Sequence, residues 1–152
     1  MIAIEIPGQG TLSLSHAVFD LNGTLAEDGR IDEEIMGLVE QISARLNVVV
    51  ATADTFGTAA ALFNPRKIAW HQVSSGEDKE RLVHRANGTV VAVGNGANDA
   101  AMFRSADLAI CILGPEGAST AALMAADIVV PSILVGLGLL LHPKRLVATL
   151  RG

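Results

Sequence analysis

The chain has 152 residues, half of them apolar, which suits one domain with a real core. Eleven basic side chains stand against sixteen acidic ones, for a net charge of −5, and no lysine or arginine block is present, so a polyanion such as nucleic acid is excluded as a partner. Cys111 is the single cysteine; it cannot form an internal disulfide and lies in the apolar run LAICIL, as a small core residue in a reducing interior would.

In chain order, MIAIEIPGQGTLSLS alternates Ile2, Ile4 and Ile6 and then Leu12 and Leu14, which predicts a β-hairpin turning at Pro7 to Gly10. It has neither the positive start nor the unbroken apolar stretch of a signal peptide. HAVFD predicts a strand ending at Asp20. After a loop, Asp32 is placed to cap a helix whose apolar face carries Ile35, Leu38, Val39 and Ile42. LNVVVAT is the next strand, followed by a helix from about Thr55 that stops at Asn64-Pro65. KIAWHQV is a third sheet segment. Ser75 and Asp78 open another helix in the Ser-x-x-acid pattern, closed by Asn87-Gly88. TVVAVG, ADLAICILG and ADIVV complete the strands, each a nearly continuous apolar run of the kind covered on both faces. Trp70 and the four phenylalanines are expected in the core.

This alternation predicts an α/β fold, a three-layer, doubly wound, mostly parallel sheet with an N-terminal β-hairpin, in a single domain over residues 1–152. The most lipid-like stretch, residues 128–141, is shorter than the ~18 to 20 apolar residues of a spanning helix and is interrupted by Pro131, Gly136 and Gly138. A buried strand and helix account for it, and a cytoplasmic protein without a membrane anchor is expected.

Ligands of such sheets bind at the carboxyl ends of the strands. Polar residues gather there: Asp20 closes one strand, Thr52 and Asp54 another, and Gly94-Asn95-Gly96-Ala97-Asn98-Asp99 follows a third, with Lys79 near the start of the helix between the last two. Each has a use if the substrate is a phosphate ester. The Asp20 carboxylate can attack phosphorus and form an acyl phosphate. Asp20 and Asp99 supply oxygen ligands for Mg²⁺, Thr52 a hydroxyl for the phosphoryl oxygens, and Lys79 a balancing charge. Gly23, Gly94 and Gly96 would let backbone amides approach the anion. Asn22-Gly23 is also a hairpin signal, but the following TLAEDG offers almost no return strand. The four histidines show no metal spacing and no nucleophile partner.

FDLNGTL, VVVAT, Lys79 and VAVGNGANDAAMF together resemble the four ordered signatures of the haloacid dehalogenase-like (HAD) phosphohydrolases. More narrowly, ATADTFGTAAALF, GNGANDAAMFRSADLAICI and GASTAALMAADIVV resemble the phosphorylation domain of P-type ATPases, and the whole is similar to the soluble P-type ATPase-like HAD group. The resemblance implies a capless HAD core with Asp20 as nucleophile. It also implies phosphate contacts from Thr52, Ala53, Lys79 and Asn98, and Mg²⁺ held by Asp20, Asn22, Asn95 and Asp99.

Two departures shape the expected activity. Family phosphatases carry a second aspartate two residues after the nucleophile, as general acid and base; here that position is Asn22, whose amide cannot trade protons, so a factor of ~10² to 10⁴ is lost. Asn95 stands where an aspartate is common, which leaves fewer carboxylates for the metal. The expected function is a slow, Mg²⁺-dependent phosphohydrolase or phosphotransferase acting on a small phosphorylated substrate. The alternative is an impaired relative that binds Mg²⁺ and phosphate as a regulatory or assembly module. The interval from Asp20 to Thr52 is too short for an inserted nucleotide-binding domain, and neither it nor the stretch from Thr52 to Lys79 has room for a cap. TLAEDGRI can make only a small flap turning at Asp28-Gly29. An open site of this kind implies a homo-oligomer, with the apolar C-terminal stretch and the N-terminal hairpin as candidate contacts.

Overall fold

Buried Ile2, Ile4 and Ile6 alternate with exposed Ala3 and Glu5, so the first strand, β1 (Ile2–Ile6), has one apolar face; it pairs antiparallel with β2 (Gly10–Leu14) in the expected hairpin. The structure, a computed structural model, describes residues 1–152. The hairpin is not hydrogen-bonded to the main sheet. Its apolar face joins Leu140 and Leu146 in the core.

The main sheet has six parallel strands in the order β5-β4-β3-β6-β7-β8: β3 (His16–Asp20), β4 (Asn47–Thr52), β5 (Ala69–Gln72), β6 (Val90–Gly94), β7 (Leu108–Ile112) and β8 (Ile128–Val130). Strand order reverses at β3, which lies between β4 and β6. Asp20 is opposite Ala51 and Phe19 opposite Val93, so the three central strands end at one level, with Asp20, Thr52 and Gly94 on the same rim.

Side chains alternate between two cores because strand side chains point to opposite faces. On one face Phe19, Val50, Val93 and Ile110 pack against α1 (Glu33–Ser43), α6 (Ile133–Leu141) and α7 (Pro143–Leu150), through Val39, Ile42, Leu137 and Leu146. On the other, Val18, Ala92, Ala109 and Cys111 meet α3 (Gly76–Arg85), α4 (Ala100–Ser105) and α5 (Thr120–Ala125), through Val83, Met102, Phe103 and Ala122. Small side chains are common in this second layer, among them Ala51, Ala92, Ala109 and Ala122. Cys111 is fully buried, and burial pushes its thiol pKa up.

Three expectations need correction. The helix expected from Thr55 begins only at Ala59 (α2, Ala59–Phe63): Asp54 and Gly57 hold left-handed φ values of 55° and 65°, and the Asp54 carboxylate accepts the Ala59 amide, so a local side-chain bond replaces the first helical turn. Phe56, on that loop, is exposed and packs over Gly29. Trp70 is only half-buried on β5, an edge strand, with its indole N–H donated to Asn64.

Between Asp20 and Thr52 lie only a loop, a two-residue turn and α1. Glu27 and Arg30 exchange backbone hydrogen bonds across Asp28-Gly29, both at positive φ, giving the small flap that the sequence implies. No single helix is long and apolar enough to cross a membrane, and α6 and α7 are bent by 103° at their junction.

Candidate active site

The chain leaves β3 at Asp20 and turns at once. The Leu21 carbonyl accepts the amides of Thr24 and Ala26, and the Gly23 amide is donated to Ala26, so residues 21–26 form a closed loop without a return strand. Buried Leu21 and Leu25 anchor it. Gly23 is at φ +77°, where side chains are disfavoured.

Three charged side chains converge beneath this loop. Lys79 Nζ donates to Asp20 Oδ1 at 2.8 Å and to Asp99 Oδ1 at 2.7 Å. Lys79 comes from the first turns of α3, which Ser75 caps by accepting the Asp78 amide. Asp99 is fully buried; its Oδ2 accepts the amides of Asn95 and Gly96, each at 3.0 Å. Gly94 makes room for it, since a Cβ there would lie 2.4 Å from that oxygen.

Electrostatics follow from this burial. Desolvation first, and then the Asp99 charge, push the Asp20 carboxyl up to about 6, while Lys79 and Thr24 pull it back down. Burial by itself would lower the Lys79 ammonium, but its two carboxylates outweigh that effect and its pKa is raised.

Above the triad is a cavity of about 280 Å³. Asp20, Asn22, Thr52, Ala53, Lys79, Asn95 and Asn98 all line it; Asp99 does not, and lies behind Lys79. Seven of the eight expected site residues therefore share one hollow, and the eighth supports it from below. Thr52 Oγ1 accepts the Asp54 amide at 2.9 Å, which leaves the hydroxyl hydrogen free to donate. Asn95 Nδ2 donates to the Gly117 carbonyl at 3.0 Å. Asn22 Oδ1 is buried without a hydrogen-bond partner. No group of three or more His, Cys, Asp or Glu side chains is placed to hold a metal by itself.

Two of the three glycines named above have committed amides. The Gly96 amide, with that of Asn95, is donated to Asp99, and the Gly23 amide to Ala26. Sequence reasoning also missed two residues that line the cavity and one that binds Asp20 beneath it. Thr24 shares its hydroxyl hydrogen between Asp20 Oδ2 (3.1 Å) and Asn95 Oδ1 (3.3 Å); its place in the FDLNGT stretch is a usable signal. Thr55 and Glu116 line the cavity with no local motif to mark them.

No protein-family model matches the chain. An uncharacterised protein of Methanocaldococcus jannaschii is 46% identical over 65 residues, which cover 43% of this chain and 70% of that protein. Among solved structures, the chain is similar to the 3-deoxy-D-manno-octulosonate 8-phosphate phosphatase of Moraxella catarrhalis, seen with magnesium and phosphate ions (TM-score 0.66, 15% identity, 91% of this chain and 94% of that one). It is also similar to a putative HAD family hydrolase of Streptomyces avermitilis (TM-score 0.60, 19% identity, 78% and 76%). A third similarity is to a zinc-transporting P-type ATPase (TM-score 0.63, 23% identity), where the match spans 78% of this chain and 20% of the much longer ATPase. The chain therefore belongs to the family of the Methanocaldococcus protein, and its fold is that of the HAD hydrolases and of the P-type ATPase catalytic domains.

Proposed function

We propose that the chain is a HAD-type phosphohydrolase or phosphotransferase that works through an aspartyl-phosphate at Asp20 and turns over slowly. The observation that carries this reading is the convergence of Asp20, Lys79 and Asp99 beneath a cavity that Thr52 also lines. The phosphatases among the structural neighbours support it.

The Asp20 carboxylate attacks phosphorus, and the bond to the leaving oxygen breaks. Lys79 keeps the nucleophile oriented and offsets the charge that gathers on the phosphoryl group, and Thr52 donates its free hydroxyl hydrogen to a phosphoryl oxygen. The leaving oxygen takes its proton from water, because Asn22 has none to give. Water then attacks the acyl phosphate, loses its proton to solvent, and releases phosphate with the carboxylate restored. Without a general base this second step is slow, and without a general acid the first step favours acyl phosphates and other substrates whose leaving groups need no proton.

The donors fit Mg²⁺: they are oxygens, and buried, unpartnered Asn22 Oδ1 is an acceptor that lacks a donor or cation. Asp20, Asn22 and Asn95 would hold the ion, with Asp99 fixing Asn95 from behind through its backbone amide. Mg²⁺ supplies charge neutralisation between nucleophile and phosphate.

The test is hydrolysis of p-nitrophenyl phosphate and acetyl phosphate, with and without Mg²⁺, by wild type and Asp20→Asn. Mg²⁺-dependent turnover lost in the variant is expected; equal activity in both would overturn the reading. A second reading, a module that holds Mg²⁺ and phosphate or a lasting phosphoryl group, is favoured by Asn22 and predicts a persistent adduct in intact-mass spectra without release of phosphate. Self-association belongs to the same proposal, through the exposed apolar side chains of β8 and α6, Val129, Leu134 and Val135. Light scattering on wild type and Val135→Glu tests it, and a wild-type monomer would refute it.

A further inference from the structure

We propose that Glu116 supplies the carboxylate that Asn95 withholds, and so completes the cation site. This inference rests on the Mg²⁺-dependent reading above.

Glu116 sits on a turn, Gly114 to Gly117, closed by a 2.9 Å bond between the end residues. Two hydrogen bonds pin the segment to Asn95: the Asn95 amide group donates to the Gly117 carbonyl at 3.0 Å, and the Ser119 amide donates to the Asn95 carbonyl at 2.9 Å. Glu116 is therefore carried to the rim by a fixed strut. Its side chain folds over Gly23: a Cβ at that glycine would lie 2.0 Å from Glu116 Oε2 and 2.7 Å from Asn95 Nδ2. Only a residue without a side chain leaves space for the carboxylate beside the Asn95 amide.

No basic side chain pairs with Glu116. It nevertheless lines the same hollow as Asp20, where two carboxylates repel each other. Exposed Glu116, without a basic partner, borders the hollow that Asp20 and Asn22, with its unpartnered Oδ1, also line, and such a set of oxygens is a place for a cation. Charge agrees: Asp20, Asp99 and Lys79 leave one negative charge, and Glu116 makes it two, matching a divalent ion.

The experiment is titration of the metal-free full chain with Mn²⁺ followed by electron paramagnetic resonance, and with Mg²⁺ by calorimetry, for wild type, Glu116→Gln, and Glu116→Gln combined with Asn95→Asp. Wild type is expected to bind one ion. Glu116→Gln should weaken binding about tenfold or more, and the added aspartate should recover it, since each variant changes one carboxylate in one cavity. Melting temperature in EDTA should not fall in Glu116→Gln. Equal affinity in wild type and Glu116→Gln would overturn the inference and leave the Mg²⁺ reading standing. No binding by wild type would overturn both. A lowered metal-free melting temperature would assign Glu116 to the loop fold and overturn the inference, as would failure of the aspartate to restore binding.

Discussion

The Lys79 ammonium lies 2.7 Å from Oδ1 of Asp99, a carboxylate with no solvent exposure. Asp20 completes the group at 2.8 Å on the other side of the same nitrogen. One cation thus stands between two buried anions, and its removal leaves both uncompensated. Lys79→Ala is expected to cost about 3–5 kcal/mol in urea unfolding, the usual penalty for breaking a buried ion pair from one side. The same variant should lose acyl-phosphate turnover, and a stability change under about 1 kcal/mol would show that water reaches the pair freely.

The raised Asp20 pKa makes metal-free stability depend on pH. The folded value of about 6 lies above the ordinary 3.8, so the folded state holds the proton more tightly than the unfolded chain does. That contribution is fully present below about 3.8 and is lost as pH rises through about 6. Melting in EDTA should fall for wild type relative to Asp20→Asn between about pH 4 and about 7, leaving the variant more stable at neutral pH by about 1–3 kcal/mol. A parallel response of the two proteins would exclude Asp20 as the titrating group.

Asn22→Asp restores a proton carrier to the cavity wall, beside Asp20. Turnover of p-nitrophenyl phosphate should rise at least ~10-fold, toward the ~10²-fold expected of general acid–base help. An unchanged or lower rate in steady-state assays would remove the role assigned to this position.

Gly94→Ala tests the packing beneath the site. The new methyl would lie 2.4 Å from a carboxylate held by two amides and Lys79, which has no room to retreat. Thermal unfolding should show a loss of about 1–3 kcal/mol, typical of overpacking. Gly37→Ala, with nothing within 4 Å of the added atom, should be neutral or stabilising and serves as the control.

Most of the fold was legible because its signals are local. The period-two burial of Ile2, Ile4 and Ile6, the apolar runs of β6 and β7, and the Ser75 cap each depend on a few neighbouring residues. The start of α2 was not legible, since the bond from Ala59 to Asp54 competes with a helical pattern that reads as continuous from Thr55. Phe56 reads as core for the same reason.

For the site, the sequence by itself determined which chemistry is possible: an ordered set of Asp20, Thr52, Lys79 and Asp99 at strand ends, and amides at positions 22 and 95 where carboxylates would serve catalysis better. Those facts are fixed by residue type and by the rule that parallel strands end at one rim. Only the tertiary structure decided which groups meet. It buried Asp99 behind Lys79, turned the amides of Asn95 and Gly96 inward, and brought Thr24 to Asp20 and Glu116 to the cavity. Glu116 and Asp20 are far apart in the chain, and what joins them is the register of β7 beside β6 and two hydrogen bonds to Asn95. Such contacts follow from packing of the whole sheet, and no short stretch of sequence encodes them.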